Sequence, residues 1–406
     1  MTDFPHRRAR GILLFSITLS SVGFLSLFPI LAPLGRELAM SEFEITSVIG
    51  VSSLTIFLLT PYWGRLSDAW GRKRVMVIGF FGFAVGTFVF IQLIELGLRG
   101  VLAGTQLYLA LVIGRVSVAG VMSASMPATT AYMADITSPE MRTRGMGATG
   151  AANNLGTILG PALAGFAFIS LLAPLWIVAC MAVLNGIVAW LFLPESNRGT
   201  AIRRAPRMAY SDRRILPFIL LGVAMFIGNA LVQQTMGFRF QDALGLSAQE
   251  TAEVVGVAMI CSAAAALVAQ FLIVQRMDFA PFSLLKMAIP VMALAFAMMA
   301  VFETRVPLIA AMMLQGFGMG LAAPGFTAGA SLAVSAREQG AVAGVVASCG
   351  PLGATIGPLV GGALYQVAPV LPYGFAAVVY VLLMLALRPL ERRVTVHEEP
   401  AGEASS

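Results

Sequence analysis

The sequence predicts an all-α polytopic membrane protein, with twelve transmembrane helices in two six-helix bundles. Hydrophobic residues make up 58% of the 406 residues and charged residues only 11%, against roughly 45–50% and 25% in soluble domains. Apolar stretches of about 20 residues recur along almost the whole chain, and each is long enough to cross a hydrocarbon layer of roughly 30 Å. Basic residues concentrate in alternate connections between these stretches, which is typical of a chain that crosses a membrane repeatedly.

The apolar stretches define the predicted spans. In chain order they are 11–33, 46–65, 74–96, 105–134, 145–169, 173–193, 215–237, 249–273, 282–303, 306–333, 340–366 and 370–388. No cleavable signal peptide is visible before the first span, so we expect that span to be retained. One long polar segment with six arginines interrupts the pattern at the midpoint. The sequence therefore predicts four parts, which are an N-terminal bundle (1–193), a cytoplasmic linker (194–214), a C-terminal bundle (215–388) and a cytoplasmic tail (389–406).

The basic residues predict the orientation of the chain. With the N-terminus in the cytoplasm, the inner segments carry 21 of the 26 Lys and Arg residues, the outer segments carry four, and Arg115 lies within a span. This bias is the positive-inside signature. We therefore expect a multi-pass protein of a bacterial cytoplasmic (inner) membrane with both termini in the cytoplasm. The net charge of +6 is then a feature of topology, and we expect no nucleic-acid partner.

The two halves of the sequence repeat. At a shift of 197 residues, ten residues of the first half meet identical residues of the second half without a gap. Earlier in the halves the shift is 206. Two six-span units in the same orientation imply a parallel repeat about an axis along the membrane normal, with a solute pathway between the units.

The densest charge cluster lies at the turn between the second and third predicted spans, where residues 64–76 read GRLSDAWGRKRVM. Gly64 has no side chain, so its helix can approach a neighbour closely. Asp68 lies at a helix end where a neighbouring helix N-terminus would favour its negative charge. Arg72 and Arg74, across the turn, can pair with carboxylates at other cytoplasmic helix ends. A plain positive-inside turn is the alternative, although it would require neither Asp68 nor the two glycines, Gly64 and Gly71.

A second motif is GTILGPALAG (156–165), which the second half repeats as GATIGPLVGG (353–362). Small residues at these spacings let helices pack closely, and generic helix packing alone is the alternative interpretation. Each proline removes a backbone hydrogen bond and should bend its helix. The residues of this helix-bend motif are Gly156, Gly160, Pro161, Gly165, Gly353, Gly357, Pro358 and Gly362.

Arg115 is the third signal, because it lies about ten residues into the fourth predicted span, roughly 15 Å deep at 1.5 Å per residue. A charge at that depth is costly and usually faces a cavity or a partner. The alternative is a structural arginine bonded to backbone carbonyls. Other candidates for the pathway are amide side chains that could equally join helices to one another. They are Asn153, Asn154, Asn229, Gln233, Gln234 and Gln315.

Over nearly its whole length the sequence resembles the major facilitator superfamily, and it is most like the twelve-helix drug:proton antiporter group. Residues 64–76 resemble that family's loop between helices 2 and 3, with Ala69 where the family often has a basic residue. The resemblance implies the major facilitator fold. It also implies that Asp135 and Glu195 join the charged cluster in an inner latch that is closed while the carrier faces outward. The stretch 156–165 resembles the family's antiporter motif, and Arg115 matches a basic residue linked to proton coupling.

We therefore expect a secondary active transporter rather than an enzyme, and specifically a proton-coupled exporter of small amphipathic molecules that works by alternating access. Its expected partners are a small-molecule substrate, the proton gradient and the lipid bilayer, with no cofactor or metal, and we expect a monomer. None of the twenty acids falls in the middle third of a span, so a neutral or anionic solute fits better than a strongly cationic one. Two alternatives stay open: a proton-linked importer or exchanger of an organic anion bound near Arg115, and a transport-dead membrane sensor or scaffold.

Overall fold

The computed structural model describes residues 3–137, 142–195, 208–335 and 338–398, and the described part of the chain is built of helices. A 3₁₀ segment, Leu163–Phe168, extends α7, and a π-helical segment, Ala269–Val274, extends α10. The α-helices are α1 (Asp3–Leu25), α2 (Phe28–Glu37), α3 (Glu42–Trp70), α4 (Arg72–Leu98), α5 (Gly104–Met122), α6 (Ser125–Asp135), α7 (Arg142–Ala162), α8 (Ala173–Phe192), α9 (Leu216–Leu244), α10 (Ala248–Val268), α11 (Pro281–Val301), α12 (Arg305–Leu332), α13 (Gln339–Val367) and α14 (Leu371–Glu398).

These helices account for the predicted spans. Within the described ranges, 11 helical segments are long and apolar enough to cross a membrane. The remaining predicted span, 145–169, corresponds to α7 with its 3₁₀ extension, and α7 is more polar because it carries two adjacent asparagines. Many large apolar side chains on these helices are exposed, such as Leu58, Ile113 and Leu385, as expected of surfaces that face lipid rather than water.

Two predicted spans are each broken into a pair of helices by a proline. A helical proline lacks an N–H donor and its ring clashes with the carbonyl four residues earlier. Pro29 therefore opposes Leu25, where α1 ends, and Pro127 opposes Ser123, which follows the last residue of α5. The breaks between α1 and α2 and between α5 and α6 thus follow directly from the sequence, although hydropathy alone predicted continuous spans.

Sequence-encoded signals place both ends of α3. At its start, the Ser41 hydroxyl accepts a hydrogen bond from the Glu44 N–H at 3.3 Å, and the Glu44 carboxylate accepts one from the Ser41 N–H at 2.8 Å. This reciprocal capping box satisfies two backbone donors that the helix leaves free. At its end, Gly71 has a φ of 108° and is the single residue between α3 and α4. The turn is tight because glycine adopts this conformation without steric cost.

Contacts divide the described residues into two compact units. The first contains the described residues up to 195 together with Gln234–Ile260, and the second contains 208–233 and the described residues from 261 onward. Residues 234–260 were predicted to belong to the C-terminal bundle, but they pack with the first unit. A Cβ on Gly237 would lie 2.6 Å from the Ala32 Cβ, and one on Gly256 would lie 2.9 Å from the Pro161 carbonyl oxygen. Most of the predicted linker lies outside the described residues, so the predicted boundaries of the bundles stay a prediction.

A buried apolar cluster of the first unit lies beneath the charged turn. Its members include Leu13 of α1, Met76 and Phe80 of α4, Tyr132 of α6 and Ala189 of α8, each at most 3% exposed. Burial in this cluster fixes the ends of four helices relative to one another. The charged side chains next to the turn are therefore held on a rigid base.

Candidate functional site

The charged turn is organised around Arg72, the first residue of α4. Its guanidinium forms ion pairs with Asp68 at 2.5 Å and Asp135 at 3.2 Å, and donates a hydrogen bond to the Ser67 hydroxyl at 2.7 Å. The side chains of Arg72 and Asp135 are only 13% and 15% exposed, whereas Asp68 is 61% exposed. Arg72 therefore joins α3, α4 and α6, and its ion pair with Asp135 is largely shielded from solvent.

Glu195, which follows α8, completes this cluster. Its carboxylate accepts a hydrogen bond from the Lys73 N–H at 3.0 Å, at the N-terminus of α4, where the helix dipole favours negative charge. The same carboxylate lies against the turn, so that a Cβ on Gly71 would stand 2.8 Å from its Oε1 atom. The Tyr132 hydroxyl donates to the Pro194 carbonyl at 2.5 Å and holds this segment against α6. Gly71 is therefore needed both for its backbone conformation and for the space it leaves.

The structure brings Asp68, Gly71, Arg72, Asp135 and Glu195 together, as the resemblance implied. Two other predicted members behave differently. Arg74 is exposed and forms no ion pair within the described part of the chain. Gly64 was predicted to permit a close helix approach, but a Cβ there would meet only the Pro127 Cβ at 3.8 Å, an ordinary contact. The neighbouring Trp63 joins α3 to α5 instead, because its indole N–H donates to the Gly120 carbonyl at 2.7 Å.

The helix-bend motif packs the same way in both units. A Cβ on Gly156 would lie 2.2 Å from the Ser21 Cβ, and one on Gly160 would lie 2.9 Å from the Leu25 Cβ, so α7 touches α1 almost backbone to backbone. In the second unit, Gly353 meets Phe226 and Gly357 meets Ala230, Ile227 and Leu231 of α9. The predicted repeat is thus visible as one helix contact made twice. Gly165 takes no part in this contact, because a Cβ there would meet nothing within 4 Å. It lies in the 3₁₀ segment that follows α7.

Replacing Gly156 with Ala is expected to destabilise the protein by about 1–3 kcal/mol, because an added methyl forces apart two helices that cannot both relax. Thermal unfolding of the purified protein in detergent measures the effect. Gly147→Ala is the matched control, since it lies in the same helix and its Cβ would enter open space. That variant should be neutral or up to about 1 kcal/mol more stable from helix propensity. Equal behaviour of the two variants would contradict close packing at Gly156.

A cavity of about 310 Å³ lies in the first unit, among α1, α4, α6 and α7. This size lies at the lower end of the range for small-molecule sites. Its lining is rich in hydroxyl groups, and no ionisable side chain is among the lining residues, which include Ser16, Ser20, Ser21, Thr129, Thr149 and Asn153. Ile17, Phe80 and Met126 supply apolar walls. The cavity therefore suits a neutral or weakly polar molecule with both apolar and hydrogen-bonding parts.

Two of the lining hydroxyls differ in their hydrogen bonds. The Ser21 hydroxyl donates to Asn153 Oδ1 at 2.6 Å. The Ser16 hydroxyl is fully buried and has no protein partner among the described residues. Of the two predicted asparagines, Asn153 lines the cavity and Asn154 does not. The sequence alone did not reveal these hydroxyls, because serines and threonines spread over three helices give no local signal until those helices are packed.

The other predicted amides separate into two groups. Gln315 of α12 is 3% exposed and donates to Asn229 Oδ1 of α9 at 3.0 Å, so this pair joins two helices of the second unit. Gln234 lines a small cavity beside Arg115. Gln233 is half-buried, and its side chain forms no hydrogen bond within the described residues. The structure therefore supports the joining interpretation for Asn229 and Gln315 and leaves Gln234 as a candidate beside the buried charge.

Arg115 of α5 is buried, with 6% of its surface exposed. Its guanidinium carbon lies 5.6 Å from the centre of the Phe90 ring, a cation–π contact. Its Nε has no hydrogen-bond partner, and no carboxylate or backbone carbonyl of the described residues pairs with it. The described structure therefore does not support the alternative, in which Arg115 is hydrogen-bonded to backbone carbonyls. The geometry is that of a charge directed into a cavity.

A second charged cluster, at the opposite end of α3, was not predicted. Arg36 of α2 pairs with Asp242 of α9 and, at 3.1 Å, with Glu42 at the start of α3. It also lies 5.2 Å from the centre of the Phe238 ring. No local pattern in the sequence pairs Arg36 with Asp242, because the two residues lie 206 positions apart.

In the second unit, Arg214 precedes α9 and bridges to the start of α13. It donates to the Glu338 carboxylate at 2.8 and 3.1 Å and also binds Asp212. The hydrogen bonds from Arg214, followed by those from Ser335, lower the pKa of Glu338 to about 2. This carboxylate therefore stays ionised throughout the physiological range.

The Arg214–Glu338 pair should stabilise the protein equally at every physiological pH. Because the folded pKa lies below the ordinary value of 4.5, its contribution is complete above about pH 5 and is lost as the pH falls toward 2. The melting-temperature difference between wild type and Glu338→Gln should thus be constant from about pH 6 to 8 and shrink below about pH 4. Glu37→Gln, which removes an exposed acid, is the control. A difference that varied between pH 6 and 8 would contradict this assignment.

Comparison with known proteins gives a consistent result. A family model described as Major Facilitator Superfamily matches residues 13–305 and 242–406. Multidrug resistance protein 1 of Bacillus subtilis (strain 168) is 24% identical over 376 residues, which cover 90% of this chain and 92% of that protein. The class C tetracycline resistance protein of Escherichia coli is 32% identical over 193 residues, which cover 46% of this chain and 45% of that protein.

Two solved structures share the fold. The human organic anion transporter MFSD10 (TETRAN) superposes with a TM-score of 0.64 at 20% identity, covering 94% of this chain and 99% of that one. A bacterial homolog of the human lysosomal transporter Spinster, in an inward-facing and occupied conformation, gives a TM-score of 0.65 at 15% identity, covering 97% and 94%. At these identities the likeness concerns the fold alone.

Proposed function

Because this chain belongs to the major facilitator superfamily, we propose that it is a proton-coupled exporter of small amphipathic molecules that works by alternating access. The observation that carries this proposal is the cavity of about 310 Å³, with its hydroxyl-rich lining, apolar walls and lack of ionisable lining residues. Its relatives include proteins named for resistance to several drugs and to tetracycline. Removal of a drug from the cell is the direct way in which a membrane transporter makes a cell resistant.

The charged cluster around Arg72 supports a gating role in this proposal. In alternating access, the two ends of a carrier open in turn. Ion pairs that form in one state and break in the other shift the equilibrium between the two states. The partners of Arg72 in this structure all lie in the first unit. We propose that Asp68, more exposed than the rest of the cluster, finds a further partner when the cytoplasmic end closes. We also propose that the termini are cytoplasmic and that the protein works as a monomer.

A second candidate function is the exchange or proton-linked import of an organic anion. The buried guanidinium of Arg115, without a carboxylate partner in the described part of the chain, favours it. An anionic solute would neutralise this charge, whereas a cationic solute would be repelled by it. The two candidates therefore differ in the charge of the solute and in the direction of proton movement.

Reconstitution in proteoliposomes tests the proposal. An imposed pH gradient is applied while a panel of neutral, cationic and anionic amphipathic solutes is presented, and both solute flux and internal pH are recorded. Neutral amphipathic solutes moving against the proton flow support export. Co-directional movement of anions with protons supports the second candidate. If no solute moves although a labelled solute still binds, the protein is a sensor or scaffold and the transport proposal is wrong.

A further inference from the structure

Arg115 lines a small cavity in the first unit. Its volume is about 10 Å³, which is room for about one water-sized group. Apolar side chains from α1, α2 and α3 form most of the wall, and the polar members are Ser52, Ser53, Arg115 and Gln234. This cavity is separate from the larger hydroxyl-lined one, and the two share no lining residue.

Most of the polar side chains that line this cavity carry hydrogen-bond donors without an acceptor among the described residues. Ser52 already donates to the Val48 carbonyl at 2.5 Å. Ser53 and Gln234 are 8% and 9% exposed, and neither side chain forms a hydrogen bond within the described residues. Arg115 has five N–H donors and no acceptor, and its Nε is buried without a partner. A hydroxyl, an amide and a guanidinium thus converge on a space that holds one small group.

The positive charge of Arg115 determines which kind of group can occupy this cavity. A water molecule could accept hydrogen bonds here but would leave a full positive charge among apolar walls, which is costly in a membrane-spanning protein. The Phe90 ring offsets this charge on one side only. No carboxylate of the described residues pairs with Arg115, so the protein leaves the neutralising group to be supplied from outside. A cation is excluded by repulsion.

We propose that Arg115, Ser53 and Gln234 bind one small monovalent anion, a halide ion. Binding neutralises the guanidinium and provides acceptors for its free N–H groups. Gln234 lies on α9 and Arg115 on α5, so the bound anion also joins α9 to α5 within the first unit. The inference concerns binding alone and does not depend on the direction of transport.

Thermal unfolding of the full-length protein in detergent, followed by tryptophan fluorescence, tests this site. Chloride, bromide, formate and acetate are titrated as sodium salts, with sodium gluconate keeping the ionic strength constant. An anion that binds only the folded state raises the melting temperature in a saturable way. We expect saturation with the halides and none with formate, acetate or gluconate, because a carboxylate group is larger than a space for one water-sized group. Saturation with the carboxylates at similar concentrations would contradict a halide site of this size.

Variants assign the effect to this cavity. Arg115→Gln should remove the anion response, and Ser53→Ala should weaken the apparent affinity by about threefold to tenfold with the charge intact, since one hydrogen-bond donor to an anion is lost. Arg99→Gln, at an exposed helix end, is the matched control and should respond like wild type. If Arg115→Gln does not fold, the apparent anion affinities of wild type and Ser53→Ala are compared, and equal affinities contradict the proposal. An unsaturable response in wild type, or an unchanged affinity in Ser53→Ala together with a response in Arg115→Gln, would overturn the proposal.

Discussion

Replacing Arg72 with Gln is expected to lower transport by about tenfold or more. Arg72 pairs with both Asp68 and Asp135, and hydrogen bonds to charged groups are each worth about 1.5–3 kcal/mol. Its loss removes a connection between α3, α4 and α6 at the turn. Initial rates of solute flux in proteoliposomes, corrected for the amount of protein inserted, measure the effect.

Arg74→Gln is the matched control for this prediction. It removes the same charge from the same turn, but Arg74 is exposed and forms no ion pair with the described residues. If a plain positive-inside turn were sufficient, the two variants would transport equally.

Replacing Asp68 with Asn tests whether Asp68 has a role beyond its ion pair with Arg72, because its carboxylate is mostly exposed in this structure. We expect it to abolish transport with normal amounts of protein in the membrane, and unchanged transport would remove the latch hypothesis.

Replacing Arg115 with Ala is expected to eliminate flux driven by the proton gradient. The side chain is a buried positive charge without an acidic partner in the described structure, and such charges within membrane spans are retained for function. Proton-driven flux and counterflow of labelled solute are measured in the same vesicles. Loss of the first with survival of the second places Arg115 in coupling, whereas loss of both places it in solute binding.

Wild-type flux of both kinds in Arg115→Ala would make the arginine merely structural. Arg99→Gln again serves as the control, because Arg99 lies at an exposed helix end and its one ion pair within the described residues is with Glu95, one turn away. Exposed pairs of this kind contribute about 0.3–0.5 kcal/mol. A similar loss in both variants would mean that general charge near the membrane, rather than this buried site, limits transport.

The fold was largely predictable from the sequence, because one physical demand acts along the whole chain. Lipid excludes polar side chains and unpaired backbone groups, so each crossing must be an apolar helix. The broken spans at Pro29 and Pro127 could also have been predicted from proline chemistry. The C-terminal end of α9 could not be predicted, since Arg239 is 3% exposed inside that helix although it lies beyond the predicted span 215–237.

The candidate site was only partly predictable. The cluster around Arg72 could be anticipated because its residues form a continuous motif and its partners lie at helix ends. The close packing of Gly156 and Gly353 could likewise be anticipated from the repeat. Gly64 and Gly165 have the same spacing signals but no close neighbour. Spacing shows which residues share a helix face, but it does not show which helix lies opposite.

By itself, the sequence determined the helical class, the crossings, the repeat and the concentration of charge at one turn. Each of these follows from the solvent around the chain or from residues close together in it. Only the tertiary structure decided that Arg36 meets Asp242, that hydroxyls from several helices share one cavity, and that Arg115 faces a cavity without a carboxylate partner in the described residues. These contacts depend on the rotation and depth of each helix, which packing between distant segments sets, and no local pattern records them.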